Sequence, residues 1–379
     1  MNSKAFLLPA ALMIAGNSVA NSKGKKTDKR PNILVILADD LGYSDLGCYG
    51  SEIHTPNLDK LAQQGVRFNH FYNASRSCPT RASLLTGLYQ HQAGIGRMTF
   101  DDNLPGYRGT LSRNAVTIAE VLKESGYTTS MIGKWHVAET PLRKDQREWL
   151  AHHVYHDTYS DLCHYPVNRG FDSHYGTIYG VVDYFDPFSL VEGEVPVKEV
   201  PEGYYITQAL SDRAAEEVTE YAKDDKPFFM YLAYTAPHWP LHALPEDIEK
   251  YKNTYKVGWE AIRNARYERQ KQLGIFPGMD DFLSERQFKD RWEDNAHAEW
   301  DARAMAVHAA MIDRMDQGIG QVIDALEKTG QLDNTLILFL SDNGCSNENC
   351  QNYSPGENDR PDMTRKGEKM VYPHNKEVL

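Results

Sequence analysis

Cysteine is scarce in this chain of 379 residues: Cys48, Cys78, Cys163, Cys345 and Cys350 are all there is. No CxxC pair and no HExxH motif occurs, so the usual spacings of a zinc site are missing. The odd count leaves at least one thiol unpaired within the chain. Cys345 and Cys350 share one polar loop and are near enough to close a small ring, a pairing that spacing alone does not assign. Basic charge is also short. Lys and Arg number 41 against 53 Asp and Glu, a formal net charge of −12. That argues against a nucleic-acid binder, which usually shows a basic face. An anionic small substrate stays open, because a local cluster of cations can overrule the global sign. No internal repeat and no low-complexity tract occurs, which sets aside solenoids and fibrous arrays.

What is present reads first as a targeting segment. Lys4 supplies a basic start, Phe6 to Gly16 is an apolar run, and Ser18-Val19-Ala20 fits the small-x-small cleavage rule. The run is too short to span a bilayer as a stable helix, so no stable membrane insertion is expected. No Cys follows it, which argues against a lipid anchor. Residues 1–20 are therefore expected to be a signal peptide and residues 21–30 a flexible, Lys-rich lead. The protein is expected to be secreted or periplasmic, a setting that permits disulfides.

The remainder alternates strand and helix signals, the mark of an α/β fold with a largely parallel sheet. Asn32 to Ala38 (NILVILA) is a continuous apolar run, as in a strand buried on both faces. Thr55-Pro56 opens a helix whose Leu58, Leu61 and Ala62 share a face and which Gly65 stops. Val66 to Tyr72 reads as a strand, Val116 to Leu122 as a helix, and Tyr127 to Ile132, Pro227 to Tyr234 and Thr335 to Leu340 as strands. Met305, Ala309, Ile312, Met315, Ile319, Val322 and Leu326 fall at steps of three and four and predict a long helix ending before Gly330. Leu150 to Gly180 reads as loop, and Leu241 to Ala296 as helices and loops outside the sheet.

Four of these strands end in polar residues of a catalytic kind: Asp39-Asp40, Gly133-Lys134-Trp135-His136, Thr235-Ala236-Pro237-His238 and Ser341-Asp342-Asn343-Gly344. In open α/β sheets the ligand crevice lies at the carboxyl ends of the strands. Asp39, Asp40, Lys134, His136, His238, Asp342 and Asn343 should therefore meet at one edge. Three carboxylates and an amide oxygen suit a hard divalent cation, Ca²⁺ or Mg²⁺, rather than zinc. Beside Lys and His donors, such an ion suits hydrolysis of a sulfate or phosphate ester. Each pattern alone has a plainer reading, a cap or a turn; four together at one sheet edge argue for a site. Ser77 to Gly87 (SCPTRASLLTG) reads as a helix N-terminus with Pro79 early, Leu84-Leu85 inward and Gly87 at the stop.

Ser77-x-Pro79-x-Arg81 followed by Leu85-Thr86-Gly87 resembles the signature of the type I, formylglycine-dependent sulfatases, in the alkaline phosphatase superfamily. Ala38-Asp39-Asp40-Leu41-Gly42, Gly133-Lys134-Trp135-His136, Ala236-Pro237-His238 and Ser341-Asp342-Asn343-Gly344 strengthen it, in the family's order. The resemblance runs from residue 31 to about 345. It implies an alkaline-phosphatase-like fold over residues 31–379 and an arylsulfatase-like hydrolase of aryl or carbohydrate sulfate monoesters. It also implies that Ser77 is oxidised to formylglycine (3-oxoalanine) by a serine-type radical maturation enzyme. Asp39, Asp40, Ser77, Asp342 and Asn343 would then hold Ca²⁺, with Mg²⁺ as the alternative. Arg81 would position residue 77, Lys134 and His136 would support its hydroxyls and the sulfate, and His238 would serve the leaving group. Two departures stand out. The key position is Ser, with Cys78 one residue out of frame. The family's second sulfate-binding Lys, in a Glu-Gly-Gly context, is not found, although Lys366 and Lys369 are present, so the C-terminal subdomain is expected to be missing.

Overall fold

The computed structural model describes residues 30–139, 158–187, 189–277, 283 and 291–346. The first twenty-nine residues, Cys350, Lys366 and Lys369 lie outside the described residues.

Among the described residues seven strands form one sheet: β1 (Asn32–Ala38), β2 (Thr128–Gly133), β3 (Ser173–Thr177), β4 (Leu190–Glu192), β5 (Val195–Pro196), β6 (Phe228–Ala233) and β7 (Thr335–Ser341). Their order is β5-β4-β3-β2-β6-β1-β7. β1 pairs in parallel with both β6 and β7, and β2 with both β3 and β6. Among the described strands β4 alone is reversed, pairing antiparallel with both β3 and β5. β1 is continuous and apolar because both its faces are covered. Leu34, Ile36 and Ala38 pack in one core, Val35 and Leu37 in the other, as the period of two requires. In β6 the same alternation sends Phe228, Met230 and Leu232 one way and Phe229, Tyr231 and Ala233 the other. Each large side chain so buried contributes about 1.5–3 kcal/mol.

Helices α1 (Pro56–Gln64), α2 (Ser77–Thr86), α3 (Ile118–Glu124), α4 (Ile206–Tyr221), α5 (Pro245–Tyr251), α6 (Trp259–Gln272) and α7 (Ala298–Lys328) fill the layers around the sheet. Of the stripe expected from its periodicity, α7 buries Ala309, Ile312, Met315, Ile319, Val322 and Leu326, while Met305 is half-buried, and the helix packs against α4 and α5. No helix among the described residues is long and apolar enough to cross a membrane.

Three expectations need correction. Val66 to Tyr72 is not a strand: the segment is irregular, with Val66 78%, Phe71 61% and Tyr72 85% exposed. Its β-branched and aromatic residues suit a strand, but β7 already occupies that flank of β1. The helix expected over Val116–Leu122 begins two residues later. Thr117 caps it, accepting from Glu120 N while the Glu120 carboxylate accepts from Thr117 N, and that reciprocal pair fixes the start. The expected loop Leu150–Gly180 contains β3, whose Ser-His-Tyr-Gly-Thr sequence lacks a strand's apolar run. β4, β5 and α4 had no counterpart in the sequence reading.

Candidate functional site

The parallel sheet delivers its strand ends to one edge. β1 and β7 are paired up to Ala38 and Ser341, so Asp39 and Asp342 leave the sheet side by side. β6 lies between β1 and β2, with Gly133 opposite Ala233, so β2 delivers Lys134 and β6 the Thr235–His238 turn to the same place. Gly133 is required there, since a Cβ on it would fall 1.8 Å from the Ala233 carbonyl oxygen. Asp40 and His136 both adopt left-handed backbone, φ 63° and 55°, which turns the chain sharply just beyond the strands.

α2 brings the fifth component. Its residues four apart share a face, so Arg81 reaches back to Ser77, with Nε donating to Oγ at 3.0 Å. The same Nε donates to Asp342 Oδ2 at 3.1 Å, and Nη2 does so at 2.8 Å. Ser77 Oγ lies 3.3 Å from His136 Nδ1. Lys134 Nζ pairs with Asp39 Oδ2. Asp39, Arg81, Lys134 and Asp342 are fully buried, and Asp40, Ser77 and His136 nearly so. Gly87 ends the helix in left-handed backbone, φ 67°. Leu85 is buried as expected, while Leu84 is half-buried.

Electrostatics explain how such a cluster is held. Burial works to raise the Asp39 carboxyl, but Lys134, His238 and Arg81 outweigh it and hold it below its ordinary value. Burial, then repulsion from Asp39, pushes Asp342 up. Burial, then Lys134 and Arg81, press His136 far down, so its imidazole is neutral. Cys78 is buried too, and burial pushes its thiol up to about 12, which leaves no thiolate to compete with Ser77.

Carboxylate oxygens of Asp39, Asp40 and Asp342 lie within 4.8 Å of one another. Asp39 Oδ1 accepts no hydrogen bond, although Arg81 Nη2 stands 3.4 Å away. Asn343 donates its amide to Asp40, and rotating the amide by half a turn would turn an oxygen to the carboxylates instead. The three carboxylates against Arg81 and Lys134 leave one net negative charge. A divalent cation reverses this to one positive charge, which matches a monoanion. The oxygen-only donor set therefore fits a hard cation.

His238 is at the rim, its side chain 14% exposed, with Nε2 3.5 Å from Asp40 Oδ2. Its Nδ1 meets the Trp239 carbonyl, which leaves Nε2 toward the site. The Tyr184 hydroxyl sits 2.7 and 2.8 Å from the Thr235 and His238 carbonyls and braces this turn. Sequence reasoning missed Tyr184, and it missed Gly180, where a Cβ would fall 2.2 Å from the His136 ring. Neither stands in a motif; a lone Gly after a Tyr-rich stretch carries no signal of what faces it.

Residues 31–366 match the family model described as Sulfatase. The chain is 35% identical over 342 residues to an uncharacterized sulfatase of Schizosaccharomyces pombe, covering 83% of this chain and 58% of that protein. It is 34% identical over 353 residues to an arylsulfatase of Klebsiella aerogenes, covering 91% and 72%. Among solved structures, Ps i-CgsB in complex with k-i-k-neocarrahexaose is 32% identical with a TM-score of 0.57, over 83% of this chain and 58% of that one. A putative sulfatase from Bacteroides fragilis, at 23% identity and a TM-score of 0.61 over 85% and 64%, shares the fold. The chain thus spans about six tenths of several relatives, and by its matched length, its fold and its identity to these proteins it belongs to the sulfatase family.

Proposed function

We propose that this chain carries the catalytic centre of a sulfate monoester hydrolase, with carbohydrate sulfates among its substrates. The observation that carries the reading is the setting of Ser77: one oxygen at the head of α2, held by Arg81 and His136, beside three buried carboxylates that balance a divalent cation. Asp39, Asp40, Asp342, Asn343 and residue 77 would hold Ca²⁺, which would neutralise charge on the sulfuryl oxygens. Conversion of Ser77 to formylglycine, hydrated, would supply a second hydroxyl, so that sulfate leaves by C–O cleavage without water attacking sulfur.

The chain's own groups divide the remaining work. Arg81 orients the residue-77 oxygen and ties it to Asp342. Lys134 offsets Asp39 at the floor and supplies positive charge for the sulfate. Neutral His136 accepts a proton from a residue-77 hydroxyl through Nδ1. His238, with Nε2 facing the site beside Asp40, hands a proton to the departing alcohol. Binding of k-i-k-neocarrahexaose by a protein 32% identical supports a carbohydrate substrate. The leader read at residues 1–20 would deliver the protein to the periplasm or beyond, after maturation of Ser77 by a serine-competent radical enzyme.

The test compares sulfate monoester with phosphate diester turnover by natively matured protein and weighs the residue-77 peptide. Preferred sulfate turnover, stoichiometric calcium and a peptide about two mass units lighter than the serine form are expected. Active protein with ordinary serine at position 77 would overturn the formylglycine mechanism. Stoichiometric zinc without calcium or magnesium would overturn the metal assignment.

A further inference from the structure

Two further groups of metal-capable side chains stand outside the residue-77 site. Asp161, Cys163 and His164 come from one short surface turn, with Asp161 exposed. Asp45, His308 and Cys345 come from three separate parts of the chain, and an oxygen, a ring nitrogen and the sulfur lie within 4.8 Å of one another. Asp45 is in the stretch after β1, His308 is on α7, and Cys345 follows β7. Such convergence does not arise from local sequence.

From this juxtaposition we infer that Asp45, His308 and Cys345 form a second metal site, for a borderline-soft divalent ion such as Zn²⁺.

The donor set argues for the class of ion. One carboxylate, one imidazole and one thiol are the ligands of zinc, and the sulfur and nitrogen make the site poor for calcium. Donors bound at about 2.0–2.3 Å to a tetrahedral ion stand roughly 3–4 Å apart, so closure needs movements on the order of 1 Å. Three protein ligands leave a fourth position for water. The surroundings favour the site as well. Arg266 and the Gly42 amide hold the Asp45 carboxylate, the amide at 2.9 Å, and each oxygen keeps a further lone pair. Arg266 also pairs with Glu52, which fixes it behind Asp45. Gly42 is what lets the strands of this knot approach: a Cβ there would fall 2.4 Å from Asp45 Oδ2 and 3.1 Å from Cys345 Cβ.

The position gives the site a purpose. Asp45 lies five residues after Asp40, and Cys345 two after Asn343. An ion joining them to α7 would clamp the two segments that carry the oxygen ligands of the residue-77 site. Occupancy is therefore structural, tightening the catalytic edge without entering the reaction.

The test uses the full chain, stripped with a chelator, kept under a phosphine reductant and saturated with Ca²⁺ to fill the oxygen-only site. Zinc binding is followed by calorimetry, and cobalt is substituted to read sulfur-to-cobalt charge transfer. We expect about one Zn²⁺ bound. Cys345→Ser and His308→Gln should each weaken it at least about tenfold, with the cobalt band lost in Cys345→Ser and Cys163→Ser indistinguishable from the unaltered protein. Cys345 is on the surface, so Cys345→Ser should fold normally and decides the matter alone if His308→Gln does not fold. No zinc binding by the unaltered protein, binding unchanged in Cys345→Ser, or binding lost in Cys163→Ser instead would each overturn the site.

Discussion

The floor and the rim of the residue-77 site are built differently. On the floor, Asp39, Arg81, Lys134 and Asp342 are wholly buried and paired with one another, so every charge there depends on at least one other. At the rim, His238 is partly exposed and held mainly through backbone carbonyls, by Trp239 on its ring and by Tyr184 beneath its turn. A mutually dependent buried cluster fails as a unit, because removing one partner strands another charge in low dielectric. A braced rim residue can be lost with the rest intact. The floor should therefore control whether reaction occurs at all, and the rim which leaving groups depart easily.

The strongest way to break this contrast is at Ser77. Ser77→Ala should lower sulfate ester turnover by at least about 10⁴-fold with the fold intact, measured by single-turnover kinetics alongside circular dichroism. A loss of tenfold or less would remove residue 77 from the floor's chemistry. Next comes the floor's interdependence. Arg81→Met leaves Asp39 and Asp342 without their shared cation and should cost about 3–5 kcal/mol of stability, read from denaturant unfolding in calcium-free buffer. A change below about 1 kcal/mol would mean that the carboxylates do not need Arg81.

The rim prediction is smaller and selective. His238→Ala should slow alkyl or sugar sulfates by about 10²–10⁴-fold and activated aryl sulfates far less, since protonation matters most for a basic leaving oxygen. Equal losses on both would make His238 a binding group. The smallest effect is expected where floor and rim meet. Gly180→Ala puts a methyl into the His136 ring, and displacing that ring by about 1 Å should cost on the order of 10²-fold in kcat with little change in KM. Unaltered kinetics would show that the ring shifts without consequence.

Much of the site was legible because its residues sit in short motifs at the ends of apolar runs. A run such as NILVILA announces a strand covered on both faces, and the strand ends of a parallel sheet share an edge. The Ser-x-x-x-Arg spacing likewise states that two side chains share a helix face. Tyr184, Gly180 and the Asp45–His308–Cys345 group were not legible, since each acts across more than thirty residues of sequence. Val66 to Tyr72 misled for the converse reason: its β-branched and aromatic content suits a strand, but it has no strand to pair with.

The sequence by itself determined the residue types at the strand ends, the hard-oxygen character of the carboxylate cluster and the identity of the residue at the head of α2, because these are chemical properties of contiguous motifs. Only the tertiary structure decided that Arg81 is shared between Ser77 and Asp342, that neutral His136 rests on Gly180, and that a thiol, an imidazole and a carboxylate meet beside the catalytic edge. Those outcomes depend on which strands become neighbours and how closely their backbones approach. Strand order and packing distance follow from burying the whole sheet, and no local pattern encodes them.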